Sequence, residues 1–416
     1  MKSIQKYGIL TCLYFAQGLP YGLFTIAVPS IMRSRGASLP EIGLASLLTL
    51  PWAFKFLWAP LVDRYGLPKL GIRKTWLLAL QLIGSLVFFR LGMVEDTGDY
   101  TYLLVGFFLA NLITATQDIA TDGLAVSMLK PSERGVGNGI QVAGYRMGMH
   151  IGGGVLLMFF SFLGWQGIFI FMGFALLAST VPVLFYKEPP STAYTEKIPA
   201  MKLLTDLVKR KGMLVWLGVI GFYKFGDAMA THMLKPFLVD IGLEPADFGK
   251  LLGTYGFLGG LLGALVGGLL VRQMGRYHAV FVLGVIQALA VFGYWLLGLG
   301  YLNEQHLTAL CATEYFTGGM ATAAIFTAMM DMCRPQSAAT DYTLQASLVV
   351  IATNLSHVLS GYVAQAWGYN VNFALAGILS LAGAFLFGAF YKGQKGHREA
   401  MVLYPEPGEE KGIQSG

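Results

Sequence analysis

The chain has 416 residues, 55% of them hydrophobic and 12% charged, with a mean hydropathy of +0.59. That excludes a soluble globular protein of this size, which would lack the polar surface to cover itself. The formal net charge of +6 invites a nucleic-acid role, but the basic residues gather in loops between apolar stretches, a membrane-topology pattern that excludes it.

About twelve apolar stretches of bilayer-spanning length follow one another along the chain. They run approximately over 8–32, 42–62, 75–94, 102–129, 139–162, 165–186, 213–236, 247–271, 277–300, 306–331, 342–364 and 370–391. The first is too long for a signal-peptide core and has no small-residue cleavage site, so it reads as a retained helix. With both termini placed in the cytoplasm, about 21 of the 29 Lys and Arg fall in cytoplasmic segments and about four on the other side. Arg64, Lys69, Arg73, Lys74, Lys130, Arg134, Lys209, Arg210 and Lys211 are on the inner side; Arg33, Arg35 and Arg90 are on the outer. The fold class predicted is an all-α membrane protein of twelve transmembrane helices in two six-helix halves. The expected organisation is an N-terminal half over 1–186, a cytoplasmic linker over 187–212, a C-terminal half over 213–391 and a disordered cytoplasmic tail over 392–416.

The halves resemble each other. Pro131 and Gln141 follow the fourth stretch as Pro335 and Gln345 follow the tenth. Gly164 and Phe169 open the sixth as Gly368 and Phe373 open the twelfth. Glu41-Ile42-Gly43 precedes the second as Asp247-Phe248-Gly249 precedes the eighth. Same order and nearly constant spacing argue for duplication. Two parallel six-helix halves are the architecture of major facilitator transporters, where substrate binds near the midplane between repeats.

In the first stretch Tyr14, Gln17, Tyr21 and Thr25 form a polar and aromatic stripe. Lys55 in the second stands about two turns from its cytoplasmic end, where it can snorkel or pair with an acid. The loop after it reads Asp63-Arg64-Tyr65-Gly66 and then Gly71-Ile72-Arg73-Lys74. It resembles the facilitator signature, and Asp63, Arg64, Arg73 and Lys74 are the expected cytoplasmic gate. Asp118 and Asp122 lie one helical turn apart in the fourth stretch, with Asn111 and Thr114 on the same face. A charge at the bilayer centre costs roughly 2.5–3.5 kcal/mol on insertion scales. Two stacked acids therefore line a wet cavity, or else reach cytoplasmic water at a helix end.

The fifth stretch carries Gln141 and then Gly144, Gly148 and Gly152, a small-residue ridge for close helix contact. Arg146 lies deep in it and needs an anion, either Asp118 or Asp122, or an anionic substrate. The internal pair is the favoured reading. Asp118, Asp122 and Arg146 are the candidate proton-coupling residues. In the seventh stretch Lys224, Asp227, Thr231 and Lys235 share one stripe, with Lys224 near enough to Asp227 to pair and His232 beside them. Glu314 and Thr317 mark the tenth stretch, Asn354 and His357 the eleventh. Tyr14, Gln17, Tyr21, Gln141, Tyr145, Lys224, Asp227 and Glu314 are the candidate substrate-cavity residues. Cys12, Cys311 and Cys333 have no metal-ligand spacing. No metal or cofactor is called for, and no nucleotide-binding loop or hydrolase motif occurs.

Several segments resemble one family. They are Gln17-Gly18-Leu19-Pro20-Tyr21-Gly22, Pro51 to Arg64 with its Phe54-Lys55-Phe56 and Trp58-Ala59-Pro60, Thr116-Gln117-Asp118-Ile119-Ala120-Thr121-Asp122, Glu133-Arg134-Gly135 and Gly144-Tyr145-Arg146-Met147-Gly148. Together they are similar to the AmpG-related permeases of the major facilitator superfamily, over about residues 10–170. That group takes in muropeptide importers, siderophore importers of the RhtX/FptX type and acetyl-CoA transporters. The Gln-Gly-Leu-Pro opening, the short tail and Gly137 to Arg146 look closest to the siderophore importers. Muropeptide permeases tend to carry two further spans, and a lysine and an acid where this chain has Ala125 and Ser127. The resemblance implies a proton-coupled, multi-pass importer of the bacterial inner membrane. Its partners would be protons, the lipid bilayer and a bulky amphipathic solute, and it is expected to act as a monomer. The best-matching solute is a ferric siderophore; the alternative is a muropeptide, then an acetyl-CoA-type substrate. A membrane-embedded acyltransferase is the competing class, but the ionisable groups lie mid-span in both halves rather than at one interface. Drug exporters of the superfamily carry a proline in the glycine motif of helix five, which is absent here.

Overall fold

The computed structural model describes residues 3–28, 50–94, 100–188, 199–244, 251–302 and 304–394. The predicted tail beyond 394, residues 189–198 of the predicted linker, and the paired signals at 41–43 and 247–249 lie outside them.

Helix α1 covers Ser3–Gly22 and runs on through one π-turn, Leu23–Ala27. Two short helices follow, α2 (Leu50–Phe54) and α3 (Ala59–Arg64), joined by a tight turn at Lys55–Leu57. Next come α4 (Ile72–Gly92), α5 (Tyr100–Met128) and α6 (Arg134–His150). A π-turn at Ile151–Val155 links α6 to α7 (Leu156–Met158), and α8 is Phe160–Phe185. The surface helix α9 (Ala200–Lys209) is followed by α10 (Met213–Tyr223) and α11 (Phe225–Asp240). Then come a π-turn at Leu251–Gly256, α12 (Phe257–Met274), α13 (Arg276–Gly298), α14 (Glu304–Asp331) and α15 (Ala338–Gln394). These helices occupy the predicted stretches in order. Gly368, with φ of 84°, breaks the 57-residue α15 into two rods, and Gly164 (φ 64°) does the same at the head of α8. Both were predicted as span boundaries. Eight helical runs among the described residues are long and apolar enough to cross a membrane. The others are short, or rich in Gly, Ala and Thr, and still lie in line with the twelve-span pattern.

By contact, the chain forms two units. Unit 1 takes Met1–Met128, Gly144–Thr205 and Arg334–Ser347; unit 2 takes Leu129–Ala143, Asp206–Cys333 and Leu348–Gly416. The core of unit 1 gathers Leu19, Phe24, Phe88, Phe107, Phe169 and Met172. The Phe107 and Phe169 rings stack at 6.0 Å and 10°. The core of unit 2 is built on Met229, Leu234, Val291, Tyr294, Cys311 and Phe373.

Helices in lipid gain nothing from hiding apolar surface from one another, so close backbone approach is what binds them. In unit 1, α1 meets α6 along a seam of glycines from both. A Cβ on Gly18 would strike the Tyr145 carbonyl, one on Gly148 the Phe15 carbonyl, and one on Gly152 the Leu19 carbonyl. The ridge expected at Gly144, Gly148 and Gly152 is therefore a packing seam. Unit 2 repeats the device between α12 and α14, where Gly259, Gly263 and Gly267 face Ala312, Phe316 and Met320.

A backbone carbonyl cannot step aside as a side chain can. Gly148→Val should therefore lower the thermal unfolding midpoint in detergent, by overpacking that costs about 1–3 kcal/mol or more. Gly218→Val, at a position with open space around it, should leave the midpoint close to wild type.

Candidate functional site

In unit 1 the two aspartates of α5 are buried, with Asp118 at 6% and Asp122 at 2% exposure. Neither reaches water at a helix end. Lys55, itself 3% exposed, forms an ion pair with Asp118. The Tyr14 hydroxyl donates to Asp122 Oδ1 at 2.9 Å. The tight turn at Lys55–Leu57 breaks the α2–α3 rod where the lysine must turn inward. Trp52 Nε1 donates to Asn111 Oδ1 at 3.2 Å and Trp58 Nε1 to Thr116 Oγ1 at 3.1 Å, which pins this broken rod to α5. The favoured partner for the acids, Arg146, is a point of correction. It is half-buried and makes no ion pair among the described residues, and Lys55 takes the place assigned to it. The sequence offered Lys55 as a candidate for pairing; only helix rotation decides between two cations on neighbouring rods.

Tyr21, Trp52 and Tyr145 form a cluster of three rings beside this pair. Tyr21 meets Trp52 edge-on at 5.5 Å and Tyr145 at 5.7 Å, and Trp52 meets Tyr145 at 6.5 Å. The Lys55 ammonium lies 5.4 Å from the Trp52 ring, so it serves the ring and the carboxylate together. Tyr21 and Tyr145 stay partly exposed. Gln17, one turn before Tyr21 on α1, is fully buried with both amide atoms unpartnered. Tyr14 is 1% exposed and committed to Asp122, so it belongs to the charge network rather than to an open ring surface.

In unit 2, Lys224 pairs with Asp227 as their spacing predicts, and its ammonium also donates to Thr322 Oγ1 at 3.2 Å. Glu314 is 1% exposed and accepts from the Tyr294 hydroxyl at 3.3 Å. Gln141 is buried and falls in unit 2. His232 and His357 stack at 4.2 Å with their planes 9° apart. They lie 125 residues apart on α11 and α15, and nothing in the local sequence joins them.

At the loop ends Asp63 accepts from Arg73 at 3.1 Å, from the Ala339 and Thr340 amides at 3.2 and 2.7 Å, and from the Thr340 hydroxyl at 2.8 Å. These amides open α15, where a helix leaves N–H groups unpaired. Arg73 also reaches Glu188 at 3.8 Å and Ser127 at 3.4 Å. Lys74 works differently, donating to the Leu184 and Tyr186 carbonyls that end α8. Arg64 lies over Tyr65, 5.4 Å from its ring. In unit 2, Asp331 binds Arg134 at 2.7 Å and Arg276 at 2.9 Å. Sequence reading missed this triad and Glu188. Its signal was the loop-end position of Arg134 and Arg276, and its acid closes α14.

A profile of the Major Facilitator Superfamily matches residues 10–353. This protein belongs to that superfamily. Within it, the chain is 31% identical over 389 residues to the anhydromuropeptide permease of Escherichia coli strain K12, covering 92% of this chain and 79% of that one. It is thus a relative of the AmpG-type permeases, a multi-pass membrane protein and a transporter by family. The solved Escherichia coli fucose:proton symporter shares the fold with a TM-score of 0.73 at 14% identity, over 94% of this chain and 99% of that one. The human organic anion transporter MFSD10 does so with a TM-score of 0.69 at 15% identity, over 93% of this chain and 100% of that one.

Removing one member of a buried ion pair strands the other and costs about 3–5 kcal/mol. Lys55→Ala should lower the denaturation midpoint accordingly. Lys55→Ala with Asp118→Ala should recover much of that loss, while Arg146→Ala with Asp118→Ala should show no such coupling. A double-mutant cycle on purified protein measures both.

Proposed function

We propose that the protein is a proton-driven importer of anhydro-sugar peptides, working in the bacterial inner membrane with both termini in the cytoplasm. The observation that carries this reading is the 31% identity to the Escherichia coli anhydromuropeptide permease over nearly the whole chain. It supports the muropeptide alternative over the ferric siderophore. The site chemistry suits it. A pyranose ring presents C–H faces that pack on aromatic rings, as Tyr21, Trp52 and Tyr145 offer in unit 1. A peptide presents amides, which suit the Gln17 side chain of unit 1. Asp118 and Asp122, with one lysine between them, are the coupling acids of unit 1. A second carboxylate beside the first is neutralised most simply by a proton. Asp63, held on the first amides of α15, and its partner Arg73 are the gate.

Proteoliposomes holding the purified protein should accumulate labelled anhydromuropeptide when the outside is acid, and a protonophore should abolish this. Asp118→Asn and Asp122→Asn should each stop accumulation. Trp52→Leu should weaken apparent affinity about 2- to 12-fold, the worth of one aromatic contact of about 0.5–1.5 kcal/mol; Trp52→Phe should weaken it less. Accumulation of a ferric siderophore with none of muropeptide would overturn the substrate assignment.

A further inference from the structure

We infer that the stacked pair His232 and His357, with Lys235 and Asn354 beside it, is a subsite of unit 2 that binds a carboxylate of the transported solute. The inference rests on the peptide-importer reading above and adds to it a recognition site in the second unit.

His232 on α11 and His357 on α15 lie face to face, with ring centroids 4.2 Å apart and planes 9° apart. Both belong to unit 2. At 1.5 Å of rise per residue, about 12 Å of helix separates His232 from the end of α11 at Asp240. About 16 Å separates His357 from the break at Gly368 on the same measure. The pair is thus well inside two spans. An imidazole at that depth is costly against lipid, and polar side chains within spans turn to the bundle interior or to a water-filled space. Packing alone does not explain it, because two phenylalanines would stack as well without the polar atoms.

His232 is exposed and His357 half-buried, and neither makes a hydrogen bond or an ion pair among the described residues. Parallel rings carry their nitrogens at the edges of the stack, where a solute can reach both. Each imidazole offers a donor in either protonation state, and a carboxylate offers acceptors only. Lys235 lies three residues beyond His232 on the same face of α11, and Asn354 three before His357 on α15. Both are exposed, and Lys235 makes no ion pair among the described residues.

The remaining charges of α11 are matched elsewhere. Lys224 and Asp227 pair with each other, and Asp240 accepts from the Tyr369 hydroxyl at 2.7 Å. Lys235 therefore leaves positive charge beside the two rings. A peptide carries the complementary group at its end. Its carboxylate accepts from the ring edges and from Lys235, while the Asn354 amide serves the adjoining peptide group. On the orientation proposed above, α11 leaves the cytoplasmic side, so the subsite lies in the outer half of its span. That is the side from which an imported solute arrives.

Diethyl pyrocarbonate acylates accessible imidazoles, and mass spectrometry reads each site on the purified full-length protein. Muropeptide should protect His232 and His357 but not the exposed His278; muropeptide with its carboxyls amidated should protect neither of the pair. Changing both residues, His232→Phe and His357→Phe, keeps two stacked rings and removes the donors. This variant should keep the wild-type unfolding midpoint, bind muropeptide about 10- to 100-fold more weakly, as for hydrogen bonds lost to a charged group, and no longer prefer the acid to the amide. His232→Gln with His357→Gln, which restores donors, should recover part of the affinity. Muropeptide binding that leaves the pair unprotected, equal protection by the amidated form, or a folded Phe variant that binds the acid like wild type would overturn the proposal. Should the Phe variant not fold, protection of the wild-type pair decides. If wild-type protein binds no muropeptide, the substrate reading falls; the dipeptide alanylglutamate at millimolar concentration, against its diamide, then decides the subsite. Protection by the acid alone upholds it, and no protection, or equal protection by both, overturns it.

Discussion

A carboxylate inside a membrane span must be matched where it stands. Water is not at hand, and an unmatched charge there costs several kcal/mol. Asp118 is met by Lys55 and Asp122 by Tyr14; Asp227 is met by Lys224 and Glu314 by Tyr294. Each of these two networks joins two acids, one lysine and one tyrosine hydroxyl. The members come from three rods in unit 1 and from three in unit 2. The networks tie rods that apolar packing alone would leave free to rotate.

Such short polar contacts need rods that approach closely, and glycine supplies the approach. The α1–α6 seam at Gly18, Gly148 and Gly152 brings Tyr145 beside Tyr21. The α12–α14 seam at Gly259, Gly263 and Gly267 holds α14, and with it Glu314, in register. π-turns at Leu23–Ala27 and Ile151–Val155 continue the two helices of the first seam, and another at Leu251–Gly256 leads into the second. Local π-turns of this kind occur often at functional sites. The three-ring cluster, the lysine and the two aspartates of unit 1 form one connected set, because Lys55 touches both Trp52 and Asp118. A ligand that moved the Trp52 ring would thereby alter the partner of Asp118.

At the loop ends the chain uses a different economy. Asp63 is held by Arg73 and by the first amides of α15, which combines a buried ion pair with a helix N-terminus. Asp331 is held by two arginines, Arg134 and Arg276. Both contacts join segments far apart in the chain, and each lies inside one unit because the short segments 129–143 and 334–347 are grouped with the unit opposite to their place in sequence. Breaking either acid from its arginine would leave a buried charge, so these contacts favour the arrangement in which they are made.

The sequence by itself determined the class, the helical rods and their order, the breaks at Gly164 and Gly368, and the acids and glycines that matter. Those are local properties: apolar length, small-residue spacing, and the cost of charge in lipid. It also showed that Lys224 and Asp227 could pair, since three residues on one helix fix their distance. Only the tertiary structure decided which partner each buried group takes. Lys55 rather than Arg146 meets Asp118, Tyr14 meets Asp122 across 108 positions, and Tyr294 meets Glu314. The histidine stack and the Arg134–Asp331–Arg276 triad were likewise invisible along the chain. The reason is rotational. Hydropathy fixes where a helix enters and leaves the membrane, but nearly all of its faces are apolar. Which face turns toward which neighbour is set by interlocking glycine seams and paired charges, and these exist only once the helices have packed.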